Sequence, residues 1–211
     1  MPLSVVKTYI PTSRSIQTLE HMSEAFEASE TPRSWSIVGP YGSGKSAFAV
    51  FLANLLGHPK KDTSIVAHKI LGNTNNKLSK KYKTISKGTL GHCTVLLTGS
   101  PESLGRRLVQ VLAEKSSSIW NENKGQRPDI VDQLNKMAES FESPTVSEIL
   151  ESIKVLQDKL NDIGFNGLLI VIDELGKFLE YEARHRKTND SQDAFKTALH
   201  FLLQLAKQDR N

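Results

Sequence analysis

The sequence predicts an α/β domain in which helices cover a mostly parallel sheet, and three features carry that prediction. A glycine-rich loop stands between a short β-prone run and a helix. Far along the chain, an unbroken apolar run ends in two carboxylates. The remaining segments are amphipathic helices whose apolar faces need a sheet to cover. A continuous apolar run of strand length belongs to a strand buried on both faces, the arrangement of parallel sheets.

The loop comes first. Gly39, Pro40, Tyr41, Gly42, Ser43, Gly44, Lys45 and Ser46 spell G-x-x-x-x-G-K-S. Trp35, Ser36, Ile37 and Val38 precede it as a short expected strand, and residues 47–56 continue from it as a helix that is apolar nearly all round, with Gly57 placed to end it. Such a loop holds phosphates because backbone N–H groups in a glycine-permitted turn converge, and the first helical turn adds unpaired donors and its dipole. Lys45 would supply a point charge to the β- and γ-phosphates and Ser46 a hydroxyl to Mg²⁺. The expected nucleotide-binding set is these eight residues with Ala47, the next residue of the helix. A glycine-rich surface turn that merely contains Lys-Ser would lead into a polar or amphipathic segment, whereas residues 47–56 are almost wholly apolar.

The second half of the expected site is the run Leu168, Leu169, Ile170, Val171 and Ile172, leading into Asp173 and Glu174. A buried strand whose carboxyl end emerges into a crevice places both carboxylates at a ligand. Asp173 would hold Mg²⁺ through its water shell, and Glu174 would polarise the water that attacks the γ-phosphate. A core strand ending in an acidic turn is the plain structural alternative. One other strand, residues 92–98, is expected between loop and acidic pair.

These two motifs, with a single strand between them, resemble the P-loop NTPases of the additional-strand class, and more narrowly the AAA+ and STAND families. The lead-in from Tyr9, Ile10 and Pro11 through Leu19, continued by a helix to about Ala28, resembles that of origin-recognition-type and STAND ATPases. The wording of the loop with Asp173, Glu174, Leu175, Gly176, Lys177 and Phe178 is also similar to large bacterial ATP-binding proteins of genome-defence type. The resemblance implies a P-loop NTPase three-layer α/β/α fold. It implies ATP and Mg²⁺ as ligands, Lys45 and Glu174 as catalytic residues, and Ser46 and Asp173 as metal-holding ones. By the same analogy Tyr9, Ile10 and Pro11 line the base pocket, the alternative being a plain N-terminal packing segment. The expected division is a lead-in over residues 1–30 and an NTPase core over 31–211. The fourth and fifth strands and the lid that such a fold requires are not found, so the sheet is expected to be incomplete at the C-terminus and the chain to be part of a longer protein.

Composition sets the bounds. A chain of 211 residues, 38% hydrophobic and 24% charged, suffices for one sizeable core. No apolar stretch has membrane-spanning length and no secretion signal opens the chain, so a cytoplasmic protein without membrane partners is expected. Cys93 is the sole cysteine and, lying in an apolar strand, is expected to be a buried thiol without catalytic role. The histidines are scattered without metal-ligand spacing, so neither zinc nor iron is expected. No G-x-S-x-G elbow supports acyl transfer.

The remaining elements are helical. Ser100, Pro101 and Glu102 are expected to cap a helix bearing Leu104, Leu108, Val111 and Leu112, and Thr145 with Glu148 forms a capping box for a long helix closed by Gly164. Residues 116–128 read as a loop or frayed helix end, then a short helix from Asp129 to about Phe141. Leu175 to about Arg186 reads as a helix, with another beginning near Asp190 or Ser191. No Asp or Glu lies between residues 63 and 101, where Lys69, Lys77, Lys80, Lys81, Lys83 and Lys87 gather around Tyr82. That stretch is either a nucleic-acid contact or a solvated helical face balanced by acidic residues elsewhere. Arg184, His185, Arg186 and Lys187 complement a helix C-terminus, their arginines being candidates for reaching a neighbouring subunit's phosphate. The expected partners are thus ATP, the rest of a longer chain, a second copy in a homo-oligomer, and nucleic acid at residues 69–87. The expected activity is ATP hydrolysis coupled to conformational change, with a slow-turnover signalling switch and a small-molecule kinase as alternatives.

Overall fold

Nine helices and two strands make up the described part of the chain in a computed structural model that describes residues 3–27, 34–122 and 126–185. In order they are α1 (Leu3–Lys7), α2 (Ser13–Glu27), α3 (Lys45–Leu56), α4 (Asp62–Thr74), α5 (Asn76–Ile85), β1 (Cys93–Thr98), α6 (Leu104–Glu122), α7 (Asp129–Glu139), α8 (Val146–Asp162), β2 (Leu168–Asp173) and α9 (Leu175–His185). Among the described residues no helix is long and apolar enough to cross a membrane.

The expected three-layer α/β/α fold is overturned. The described chain is mostly helical, and its only sheet is a two-stranded parallel one. Its register is read from the Cys93 N–H donating to the Gly167 carbonyl and the Gly99 N–H donating to the Asp173 carbonyl, both at 2.9 Å. Trp35, Ser36, Ile37 and Val38, expected as a strand, have no regular structure, and Val38 is 89% exposed. An apolar run becomes a strand only where a neighbour completes its ladder of hydrogen bonds, and among the described residues none does. β2 is likewise half-buried throughout rather than enclosed on both faces. Two strands cannot shield each other as the inner strands of a wide sheet do.

The chain forms two compact units. Of the described residues, one unit holds those up to Thr94 with Ile163–Leu169, and the other those from Val95 to Asp162 with Ile170–His185. In the first unit, Leu19 and Met22 of α2, Phe51, Leu55 and Leu56 of α3, and Leu71 and Tyr82 of the next two helices form one core, each at most 2% exposed. Tyr82 is fully buried, and its hydroxyl donates to the Leu19 carbonyl (3.0 Å), the partner a buried phenol needs. Burial raises its pKa. Asn75 joins α4 to α5: its N–H donates to the Leu71 carbonyl (2.7 Å), while its side-chain oxygen accepts from the Leu78 N–H (3.0 Å). One residue thereby closes one helix and caps the next.

In the second unit, α6 packs against α7 and α8. The capping box forms as expected: the Glu148 N–H donates to Thr145 Oγ1 (3.3 Å) and the Thr145 N–H to Glu148 Oε2 (2.8 Å). The Thr145 hydroxyl also donates to Glu148 Oε2 (2.7 Å), and this bond first and the Thr145 backbone one second hold the Glu148 carboxyl below its ordinary value. The expected Ser100 cap does not form, because α6 begins only at Leu104 and the Ser100 hydroxyl bonds Glu102 instead. α6 also runs on to Glu122, through residues expected as a loop or frayed helix end, because Ser116, Ile119 and Trp120 carry its buried face onward. The helix expected near Asp190, with Arg186 and Lys187, lies outside the described residues.

Candidate functional site

The glycine-rich loop owes its shape to two residues. Gly42 (φ 75°) and Gly44 (φ 83°) occupy the left-handed region, which a side chain adopts only with strain, and open space lies where their Cβ atoms would be. Gly44 is also the residue from which α3 departs. Its carbonyl accepts the Phe48 N–H (2.9 Å), so the amides of Lys45, Ser46 and Ala47 precede the helical ladder. Gly39 is less constrained, since an added Cβ would only approach Ser43 Oγ at 3.1 Å.

Lys45 turns back over the loop. Its Nζ donates to the carbonyls of Gly39 and Pro40, both at 2.8 Å, and more weakly to Ser43 Oγ at 3.5 Å. The ammonium is held at the loop's mouth by oxygens of the loop itself, the polar contacts that an anion's oxygens would replace. Tyr41 is 99% exposed, so it contributes nothing to the core. Behind the loop, Phe48 and Phe51 of α3 are buried, which explains why a helix carrying a phosphate-type loop is apolar nearly all round. Gly57 ends this helix in extended rather than left-handed backbone. Tyr9, expected at a base pocket or in packing, stacks on Phe51 with ring centroids 4.2 Å apart, and burial raises its pKa against a smaller lowering by Ser15. Ile10 is 80% exposed.

The acidic pair sits in the other unit, at the carboxyl end of β2. Glu174 is the one described non-glycine residue with positive φ (52°), a conformation that costs a β-carbon about 1 kcal/mol or more. Its N–H donates to Asp173 Oδ1 (3.0 Å), and its carboxylate pairs with Lys177 Nζ at 2.6 Å. Gly99 makes this turn possible: an added Cβ would lie 2.2 Å from the Glu174 carbonyl oxygen. Sequence reasoning missed Gly99, although a glycine directly after an apolar strand signals close backbone approach.

The loop set from Gly39 to Ala47 is thus assembled within the first unit and Asp173 with Glu174 within the second. The loop offers ligand contacts of two kinds, left-handed glycines with uncommitted helical amides and a cation, which suit the phosphate chain of a nucleotide. The second unit offers the Asp173 carboxylate, one oxygen of which already accepts the Glu174 amide, and the first unit offers the Ser46 hydroxyl; each is a hard oxygen ligand of the kind magnesium takes.

The basic stretch is partly accounted for. Lys81 pairs with Glu27 at 3.2 Å, and Tyr82 is buried in the core, so it cannot stack on a base. Cys93 is 2% exposed, as expected. No family model, curated protein or solved structure matches the chain.

Proposed function

We propose that the chain is the ATP-binding part of a nucleoside triphosphatase, with Mg²⁺ as its metal cofactor. The observation that carries this reading is the loop geometry: two left-handed glycines lead into α3, and Lys45 is held at the loop's mouth by the Gly39 and Pro40 carbonyls. In this reading the amides from Gly42 to Ser46 hold phosphate oxygens, that of Ser43 leaving the Pro40 carbonyl to which it donates (3.3 Å), and Lys45 leaves its carbonyls to offset charge on the β- and γ-phosphates. Ser46 and Asp173 hold the metal, whose chemistry when bound is neutralisation of phosphate charge. Glu174 orients water and takes its proton. Isothermal titration with Mg-ATP tests the reading. Binding is expected for the native chain, with a loss of at least about tenfold for Lys45→Ala, equivalent to about 1.4 kcal/mol. Equal affinity for the two proteins would refute it.

One observation favours the slow-turnover switch over a fast motor. The Glu174 carboxylate is paired with Lys177 and must leave that cation to act as a base. A switch of this kind retains ATP tightly and hydrolyses it slowly, and Lys177→Ala is expected to speed single-turnover hydrolysis. An unchanged or lower rate would remove the support for this second reading.

A further inference from the structure

The first unit contains a cavity of about 1010 Å³ that the nucleotide reading does not use. It lies between the end of α3, the α4 helix, the turn after α5 and the residues just beyond α8. Lys60, Lys69, Lys83 and Lys87 stand in its wall, all exposed, and none forms an ion pair among the described residues. Among the described residues no carboxylate lines it. His58 adds a further donor at Nε2, since its Nδ1 accepts the Lys60 N–H (3.2 Å).

Two wall residues point to a discrete ligand. His68 and Ser86 are 8% and 4% exposed, yet His68 Nδ1 and Ser86 Oγ are buried without a hydrogen-bond partner among the described residues. Buried polar atoms are nearly always satisfied, so two orphans in the wall of one cavity call for a partner. Burial foremost, and Lys83 next, hold the His68 ring below its ordinary protonation range, while a hydrogen bond to the Leu55 backbone opposes this. A neutral ring that donates to Leu55 through Nε2 leaves Nδ1 as an acceptor. Leu90 and Ile163 supply apolar wall. The cavity therefore combines cations for an anionic group, an acceptor and a hydroxyl for a polar one, and apolar surface for a carbon skeleton.

We propose that this cavity is a second ligand site, distinct from the glycine-rich loop, for a small phosphorylated organic molecule, with Lys69, Lys83 and Lys87 on the phosphate and His68 and Ser86 on its polar skeleton. A nucleic-acid strand is the less favoured occupant. Among the described residues no phenylalanine, tyrosine or tryptophan lines the cavity to stack bases, and Tyr82 is spent in the core.

The test uses the full chain carrying Lys45→Ala, so that the loop does not dominate. It is titrated calorimetrically with AMP, with inorganic pyrophosphate and with a short single-stranded oligonucleotide, and the imidazole nitrogens are tracked by ¹⁵N NMR. AMP is expected to bind, to weaken as salt rises and to shift the His68 Nδ1 resonance. Lys69→Ala with Lys83→Ala is expected to weaken AMP by at least about tenfold; both lysines are exposed, so the fold should persist, which circular dichroism checks. No heat with either AMP or pyrophosphate would overturn the proposal, as would equal affinity in the double variant or binding that leaves His68 Nδ1 unmoved. Oligonucleotide binding about tenfold tighter than AMP would overturn it in favour of a nucleic-acid groove. None of these outcomes depends on whether the loop binds ATP.

Discussion

Single residues decide the local geometry around both candidate site halves. Gly99 is the clearest case, because the Glu174 carbonyl oxygen occupies the place of its missing Cβ. Gly99→Ala must displace either the end of β1 or the strained Glu174 turn, and overpacking of this sort costs roughly 1–3 kcal/mol. Urea denaturation is expected to show that loss, whereas Gly176→Ala, with nothing near its Cβ position, should show little of it. His68 gives a second prediction, on pH. Burial first and Lys83 second depress its folded pKa below 6.5, so below that value the unfolded chain binds the proton more readily than the folded one. The stability that neutral His68 contributes is complete above 6.5 and is lost as pH falls through the depressed folded value. The melting temperature should therefore fall between about pH 7.5 and about pH 5.5, and His68→Gln should reduce that fall. An identical fall in both proteins would show that other groups govern it.

Elements form where their ends and faces agree. α8 has both: a reciprocal capping box at Thr145 and Glu148, and a buried stripe of Ile149, Ile153, Leu156 and Leu160. Thr145→Ala removes the hydroxyl that receives the Glu148 amide and should cost about 1 kcal/mol, measurable by urea or thermal unfolding. Ser100→Ala should cost clearly less, since Ser100 lies ahead of the α6 start and bonds a side chain instead of a helical amide. This contrast explains one success and one failure of sequence reading. Both sites show cap-type residues, but in the second the chain bends before its helix begins, and only the packing of Leu104 onward shows where. Trp35 to Val38 fail similarly: β-branched and aromatic residues make a strand available without supplying the neighbour that completes it.

At the scale of the molecule, the loop belongs to one compact unit and the acidic pair to the other, and the nucleotide reading makes a separate prediction for each. Mg-ATP, binding the folded chain alone, should raise the melting temperature, as any ligand of the native state does. Lys45→Ala should abolish the rise, and Asp173→Asn should diminish it in magnesium while leaving magnesium-free nucleotide binding nearly unchanged. A full rise with Asp173→Asn would detach the acidic pair from the site. Residue order alone determined the loop, its left-handed glycines, the α3 helix behind it, the acidic turn after β2 and the α8 cap. Each depends on interactions within a few residues, and the chain carries those with it. Only the tertiary structure decided that the sheet has two described strands, that Tyr82 is core rather than surface, and that four lysines surround a cavity with His68 and Ser86 in its wall. Ladder partners, burial and cavities depend on segments distant in sequence, and no local pattern specifies which of them will meet.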